Sequence, residues 1–383
     1  MIYSHCKNVL AAQFQNFQLN FHFFFADNQK IFASLLKYPY LYAAKFTDKM
    51  NTIGTIFKTS IFGESHGNGI GVVVDGVPAG IPLAMEDFLE DLSRRKAGAK
   101  GTTPRKEDDL PEVLSGIFNG HTTGAPLAVL FRNANTKSKD YSQLFDHPRP
   151  GHADFVARLK YGGFNDYTGG GHFSGRITLG LVAAGVIAKK ILAPASINAK
   201  ILEIGGTTDF DAAIAKAQEQ KDSVGGIVEC TVKGVPVGLG EPFFGSVESE
   251  ISRAVFSIPA IKGIEFGAGF SVAKMTGSTC NDNIIDSNGT TATNNNGGVN
   301  GGISNGNDIV FRVAVKPTPS ISLPQDTYNI KDGKVEPLTI VGRHDLCIAL
   351  RVPVVLEAAA AIALADLSLV AQKSSRVYQE ISV

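Results

Sequence analysis

Gly169-Gly170-Gly171-His172-Phe173-Ser174-Gly175-Arg176 leads directly into an apolar stretch that continues to Leu192, and this junction decides how the rest of the chain is read. Three glycines leave backbone amides uncovered, and a helix starting near Ser174 adds N–H groups that have no partner inside the helix. Together they form a cradle suited to an anion. A plain loop-to-helix transition is the other reading of the same residues. The run is neither G-x-x-x-x-G-K-[ST] nor G-x-G-x-x-G, so it spells neither a P-loop nor a Rossmann turn. The helix expected over residues 174–192 mixes Leu179, Leu181, Val182, Val186 and Ile187 with small Gly and Ala. It has no polar face to offer water and belongs in an interior, packed closely on its neighbours.

Outward from that helix, residues 55–60, 72–75, 201–204, 227–232 and 309–315 read as strands, and residues 113–118 and 125–131 as a hairpin joined by a turn over 119–124. Over residues 85–95, Met85, Phe88, Leu89 and Leu92 recur at helical spacing, with acids early and Arg94-Arg95-Lys96 late, as the helix dipole favours. Further helices are expected over 152–160, 211–220, 248–256 and 354–370, the last with Pro353 near its start. The order is less regular than in a doubly wound sheet, so the fold reads as α/β, mixed with α+β, in one large unit with no linker after Met50. Residues 277–307, mostly Gly, Asn, Ser and Thr, are expected to form a long mobile loop, a lid if it borders a site.

With 383 residues, 44% hydrophobic and 19% charged, the chain can bury a large core. Lys plus Arg equals Asp plus Glu, 36 each, which excludes a nucleic-acid partner held mainly by phosphate contacts. Cys6, Cys230, Cys280 and Cys347 lie far apart with no C-x-x-C, so neither a metal site nor a disulfide framework is expected, and a reducing compartment fits. No apolar run reaches the roughly 18 to 20 residues of a membrane span, so a cytoplasmic protein with no membrane partner is expected. Residues 1–49 differ from the rest: Phe21, Phe23, Phe24 and Phe25 crowd around His22, and no signal-peptide pattern is present. They read as an N-terminal extension without catalytic role, Met50 being a natural start.

Three more segments can carry chemistry. Gly63-Glu64-Ser65-His66-Gly67 sets a hydroxyl and an imidazole between glycines where a strand gives way to a turn; it is either a ligand-facing loop or a turn with a surface histidine. Pro148-Arg149-Pro150-Gly151-His152-Ala153-Asp154 puts a histidine at a helix start, where anions are favoured and a charged imidazolium is not. Gly342-Arg343-His344-Asp345 joins a guanidinium, an imidazole and a carboxylate, able to hold an anion and move a proton, or to form a surface ion pair.

The order of GESHG, DGVPAGIPL, RRK, GHTTGAP, KDYS, RPGHAD, KYGG, GGGHFSGR, NGG, KPT and GRHD resembles the chorismate synthase family over about residues 50–370. The resemblance implies a lyase of the shikimate pathway with a β-α-β sandwich core, assembled as a homotetramer. The expected reaction is the anti-1,4 elimination of phosphate from 5-enolpyruvylshikimate 3-phosphate. It would need reduced FMN, with NADPH the candidate reductant. By motif, His66 would protonate the departing phosphate with Ser65 in support, His152 would protonate or steady the reduced flavin, and Asp345 would help deprotonate it. His172, Phe173, Ser174, Ala260, Gly301, Lys316, Pro317, Thr318, Pro319, Ser320 and Arg343 match flavin-contacting positions. Arg95 matches an arginine assigned to NADP or substrate anions, and Arg176 is added to it on charge alone.

The chain departs from the commoner pattern in three places. His172-Phe173 stands where Arg-Ser is frequent, Pro319 replaces a small residue, and Gly101 takes the place of a second anion-binding arginine, with Lys100 and Arg105 close enough to substitute. A flavin- or phosphate-binding protein without catalysis, and a flavin reductase, are the rival classes; the absence of a nicotinamide fingerprint counts against the second.

Overall fold

The computed structural model describes residues 51–98, 100–103, 107–134, 143–340 and 344–372, all within one unit, residues 51–383. The expected N-terminal extension therefore lies outside the described residues, as do Arg105, Arg343 and the KDYS segment. The strands are β1 (Thr52–Ile53), β2 (Lys58–Gly63), β3 (Gly69–Asp75), β4 (Glu112–Ser115), β5 (Ile117–Phe118), β6 (His121–Thr122), β7 (Leu127–Arg132), β8 (Ser196–Ile204), β9 (Gly226–Lys233), β10 (Ile261–Phe266), β11 (Val299–Asn300), β12 (Ile303–Ser304), β13 (Ile309–Val315), β14 (Gln325–Asn329) and β15 (Lys334–Leu338). The α-helices are α1 (Leu89–Arg95), α2 (Asp154–Lys160), α3 (Thr178–Leu192), α4 (Phe210–Glu219), α5 (Val247–Val255), α6 (Gly277–Cys280) and α7 (Val352–Val370).

Two sheets, β1-β2-β3-β7-β4 and β10-β13-β9-β8, are antiparallel at every pairing. Their strands bury alternate residues: Ile70, Val72 and Val74 on β3, Leu127, Val129 and Phe131 on β7, Ile309, Phe311, Val313 and Val315 on β13. The one-face pattern follows from the two-residue repeat of a strand, and it requires a partner layer. Helices α3 and α7 supply it, α3 packing on β2 and β3, α7 on β8 and β9, and the two on each other. The result is the expected sheet–helix–sheet sandwich. Both helices are buried on nearly every side, which is why neither shows an amphipathic stripe. Gly185 of α3 meets Ala358 of α7 so closely that a β-carbon on it would stand 2.4 Å from the alanine methyl carbon.

The layers are tied by two carboxylates of α7. Glu357, 1% exposed, accepts hydrogen bonds from Arg94 (Nη2 at 2.6 Å), Lys189 Nζ (2.8 Å) and the Ala199 amide (2.9 Å), joining α1, α3 and β8. Asp366 accepts from the amides of Thr55, Ile56 and Phe57 at 2.7 to 2.8 Å.

Four expectations change. The strand expected from Thr55 begins at Lys58, as β2, because Asp366 takes the amides of Thr55, Ile56 and Phe57 that would have joined the ladder. In the hairpin, β4 does pair with β7, yet residues 117–122 form a second small hairpin, β5 with β6. Residues 277–307 are not a loose lid: Asp282 accepts hydrogen bonds from Thr293, Asn295 and Asn296, and Asn294 and Asn307 bind neighbouring backbone, so polar side chains do the ordering that an apolar core does elsewhere. Finally, residues 348–370 are helical over 23 residues and include an 18-residue window of mean hydropathy 2.0, long and apolar enough to cross a membrane, although 78% of that window is buried within the protein. Three charges interrupt it: Arg351 pairs with Asp345, Glu357 with Arg94 and Lys189, and Asp366 is held by backbone amides.

Candidate active site

The GESHG segment is the connection between β2 and β3. Gly63 closes it at φ +98°, where a β-carbon would strike the Gly69 carbonyl oxygen at 2.2 Å. Asn133, just past β7, holds the loop by donating to the carbonyls of Glu64 (3.0 Å) and Gly67 (2.8 Å). Ser65 is buried, and its amide donates to Gly171 O at 3.1 Å, so the loop is stitched to the glycine run. Gly169, at φ +59°, meets the His66 ring directly, and the β-carbon position on Gly170 lies 3.5 Å from His152 Nε2. Two histidines from distant motifs thus face neighbouring residues of one turn.

His152 precedes α2. Its Nδ1 lies 2.6 Å from Asp154 Oδ1, and Arg149 binds that carboxylate through Nε (2.7 Å) and Nη2 (2.8 Å). Burial lowers the His152 pKa below its ordinary value, an effect that Asp154 opposes and Arg149 and Lys316 reinforce. Burial alone would raise the Asp154 pKa, but hydrogen bonds from Arg149 and His152 outweigh it and hold the carboxyl well below the usual range. Arg149 Nη1 also donates to Ser320 Oγ at 3.0 Å, Lys316 Nζ to Gly151 O at 2.5 Å, and the Lys316 amide to Ala260 O at 2.9 Å. The segment from Lys316 to Ser320, with Ala260, is therefore brought to the His152 loop. Pro319 approaches Gly151, while Pro317 lies against Gly225.

His172 Nδ1 sits 2.8 Å from Gly63 O, Phe173 meets the Tyr161 ring at a tilted 6.4 Å, and Ser174 Oγ accepts from the Arg176 amide at 3.3 Å. Gly301 lies in the β11–β12 turn and joins none of the hydrogen bonds around the two histidines among the described residues.

An arginine cluster lies behind the glycine run. Arg176 donates to Asn133 Oδ1 (2.7 Å) and Asp109 Oδ1 (2.8 Å). Arg95, 2% exposed, binds Thr178 Oγ1 and Gly175 O and stands 3.8 Å from Asp109. Arg351 donates to Arg95 O (3.1 Å) and pairs with Asp345 at 3.2 Å, while the Thr103 amide donates to Asp345 Oδ1 at 2.8 Å. Burial, and then Arg351, lower the pKa of Arg95. A guanidinium does not give up its proton in the working range, so three cations against two carboxylates leave the cluster asking for an anion. Arg176 Nη2, Thr318 Oγ1 and His344 Nε2 are buried and meet no hydrogen-bond partner among the described residues. Burial, with Arg149 nearby, pushes His344 down to about 4.

Not every expected substitute is at the site. Gly101 turns towards Ile214 and Leu350, apolar neighbours that leave no place for an arginine head, and Lys100 reaches for Asp211 at an exposed 3.9 Å. Asp109, Asn133, Asp154 and Arg351 were not singled out by sequence. Asp109, Asn133 and Arg351 act as partners of arginines far along the chain, while Asp154 serves Arg149 and His152 within RPGHAD, the one proximity that offered a hint.

A family model described as chorismate synthase matches residues 57–369. The chain is 66% identical over 331 residues to a chorismate synthase of Chitinophaga pinensis, covering 86% of this chain and 100% of that one. It is 46% identical over 362 residues to a chorismate synthase of Dehalococcoides mccartyi, with 86% and 100% covered. A solved structure titled as the crystal structure of chorismate synthase superposes with a TM-score of 0.66 at 29% identity, covering 83% of this chain and 93% of that one. Matched over most of its length in sequence and in fold, the chain belongs to the chorismate synthase family of enzymes.

Proposed function

We propose that this site converts 5-enolpyruvylshikimate 3-phosphate to chorismate and inorganic phosphate by anti-1,4 elimination, with reduced FMN as its cofactor. The observation that carries the reading is the meeting of His66 and His152 at Gly169 and Gly170, beside a buried excess of arginine. The substrate has a phosphate and two carboxylates, and the donors here suit such a ligand.

The residues also fit the flavin. Phe173 offers an exposed ring, Lys316 a cation and Thr318 a buried hydroxyl without a partner among the described residues. His172, Ser174, Ala260, Pro317, Pro319 and Ser320, with Gly301 and Arg343, would complete its binding. Bound reduced FMN supplies an electron-rich partner to an elimination in which substrate and product share one redox state.

The chain's own groups handle protons and anions. His66, supported by Ser65, donates a proton to the departing phosphate; His152 holds or moves a proton at Nε2; Asp345 accepts one; Arg95 and Arg176 hold the substrate's anionic groups. On the same reading residues 50–383 are the catalytic domain, residues 1–49 take no part in catalysis, and the protein works in the cytoplasm as a homotetramer.

Purified protein given substrate and chemically reduced FMN without oxygen is expected to release phosphate and form chorismate. FMN binding with no phosphate release would leave only a binding protein. His66→Ala and His152→Ala are each expected to slow turnover by about 10² to 10⁴ with the fold intact, and unchanged turnover in both would remove the assigned roles. Consumption of NADPH with FMN and no substrate decides whether the chain reduces its own cofactor.

A further inference from the structure

Asp154 is the first residue of α2 and is 7% exposed. Besides the two side-chain bonds from Arg149, its Oδ2 accepts from the Arg149 amide at 3.1 Å, so the carboxylate is clamped on one side and faces His152 on the other. His152 Nδ1 has two neighbours, Asp154 Oδ1 at 2.6 Å and Arg149 Nη2 at 3.0 Å. Only one arrangement of protons suits both. A bare Nδ1 would set its lone pair against a carboxylate oxygen at hydrogen-bond distance, whereas a protonated Nδ1 donates to it and leaves Arg149 Nη2 bound to the same oxygen at 2.8 Å.

We propose that Asp154, locked by Arg149, is the positioning residue of His152: it fixes the Nδ1–H tautomer and turns a bare Nε2 towards Gly170 and the site. The inference rests on the reading of His152 as a proton-handling group and deepens it. That tautomer leaves Nε2 as the acceptor of the ring, so a proton that His152 handles enters and leaves at Nε2. The carboxylate behind the ring stabilises the imidazolium so formed. The charged and titratable groups around the ring are Asp154 on α2, Arg149 before it, Lys316 after β13 and His344. Asp166 and Tyr167 line the small cleft beside it.

The test is nitrogen NMR of the full, ligand-free chain labelled at histidine, with His152→Gln identifying the His152 signals. The wild type is expected to show the Nδ1–H pattern; an Nε2–H pattern overturns the proposal without any substitution at Asp154. In Asp154→Ala, Arg149 Nη2 becomes the partner of Nδ1, so the pattern is expected to switch to Nε2–H and the titration midpoint of His152 to fall. Asp154→Glu, which keeps the charge and protects Arg149 from being left unpaired, is expected to restore both.

Turnover in Asp154→Ala is expected to fall about 10- to 100-fold in kcat with KM little changed. An unchanged tautomer and midpoint in Asp154→Ala would overturn the proposal. Full turnover in His152→Ala would instead overturn the proton-handling reading, and because the NMR result needs no turnover, the two failures are distinguishable.

Discussion

The imidazole of His66 abuts Gly169 so closely that a β-carbon on the glycine would stand 2.0 Å from Nδ1 and 2.1 Å from Cε1. No side chain fits there while the ring keeps its place. Gly169→Ala must therefore move His66, and the left-handed backbone at this position adds strain of about 1 to 2 kcal/mol. Turnover is expected to fall as far as in His66→Ala, about 10² to 10⁴, while the melting temperature drops by only a few degrees. Steady-state kinetics beside a thermal melt check this, and wild-type kcat in the variant would mean that the contact does not position the histidine.

Glu357 holds together an arrangement that spans three elements. Removing it leaves the Ala199 amide without its acceptor and Lys189 and Arg94 dependent on Asp91 alone. Glu357→Ala is expected to cost about 3 to 5 kcal/mol, as for breaking a buried ion pair, read as a lower urea midpoint with turnover per folded molecule preserved. A midpoint within error of the wild type would show that Asp91 takes over the whole charge.

Acid is expected to destabilise the protein in two stages. His344, pushed by burial and by Arg149 to about 4 from an ordinary 6.5, stays neutral when folded while the unfolded chain takes up a proton. Stability rises with pH wherever the unfolded state binds more protons, so this contribution is complete above pH 6.5 and is lost as pH falls from 6.5 to about 4. Glu357 and Asp154, both held below their ordinary 4.5 and 3.8, add a second loss at lower pH, when their carboxylates are protonated. Urea midpoints measured across this range should fall accordingly, and His344→Gln, which cannot titrate, should flatten the upper part. An identical upper slope in that variant would exclude His344 as its source.

Most elements could be read from local pattern because local pattern causes them. The alternation along residues 309–315 is β13, and the spacing of Phe88, Leu89 and Leu92 marks the turn that becomes α1. The all-round apolar character of residues 178–192 and 352–370 required burial on every side, and the central layer of a sandwich is where that is met. Composition misled over residues 277–307, since an element can be ordered by side-chain hydrogen bonds that no count of apolar residues registers.

By itself the sequence determined which segments are rich in glycine, histidine and arginine and in what order they follow one another, and with that order the family. Only the tertiary structure decided which of them act together. Asp109 joins Arg95 and Arg176, and Asn133 ties the GESHG loop to Arg176, each through contacts across loops and layers. The physical reason is one of range. Periodicity and turn propensity act over a few residues along the chain, whereas the partner of a buried charge is whatever the packed core brings within about 3 Å of it.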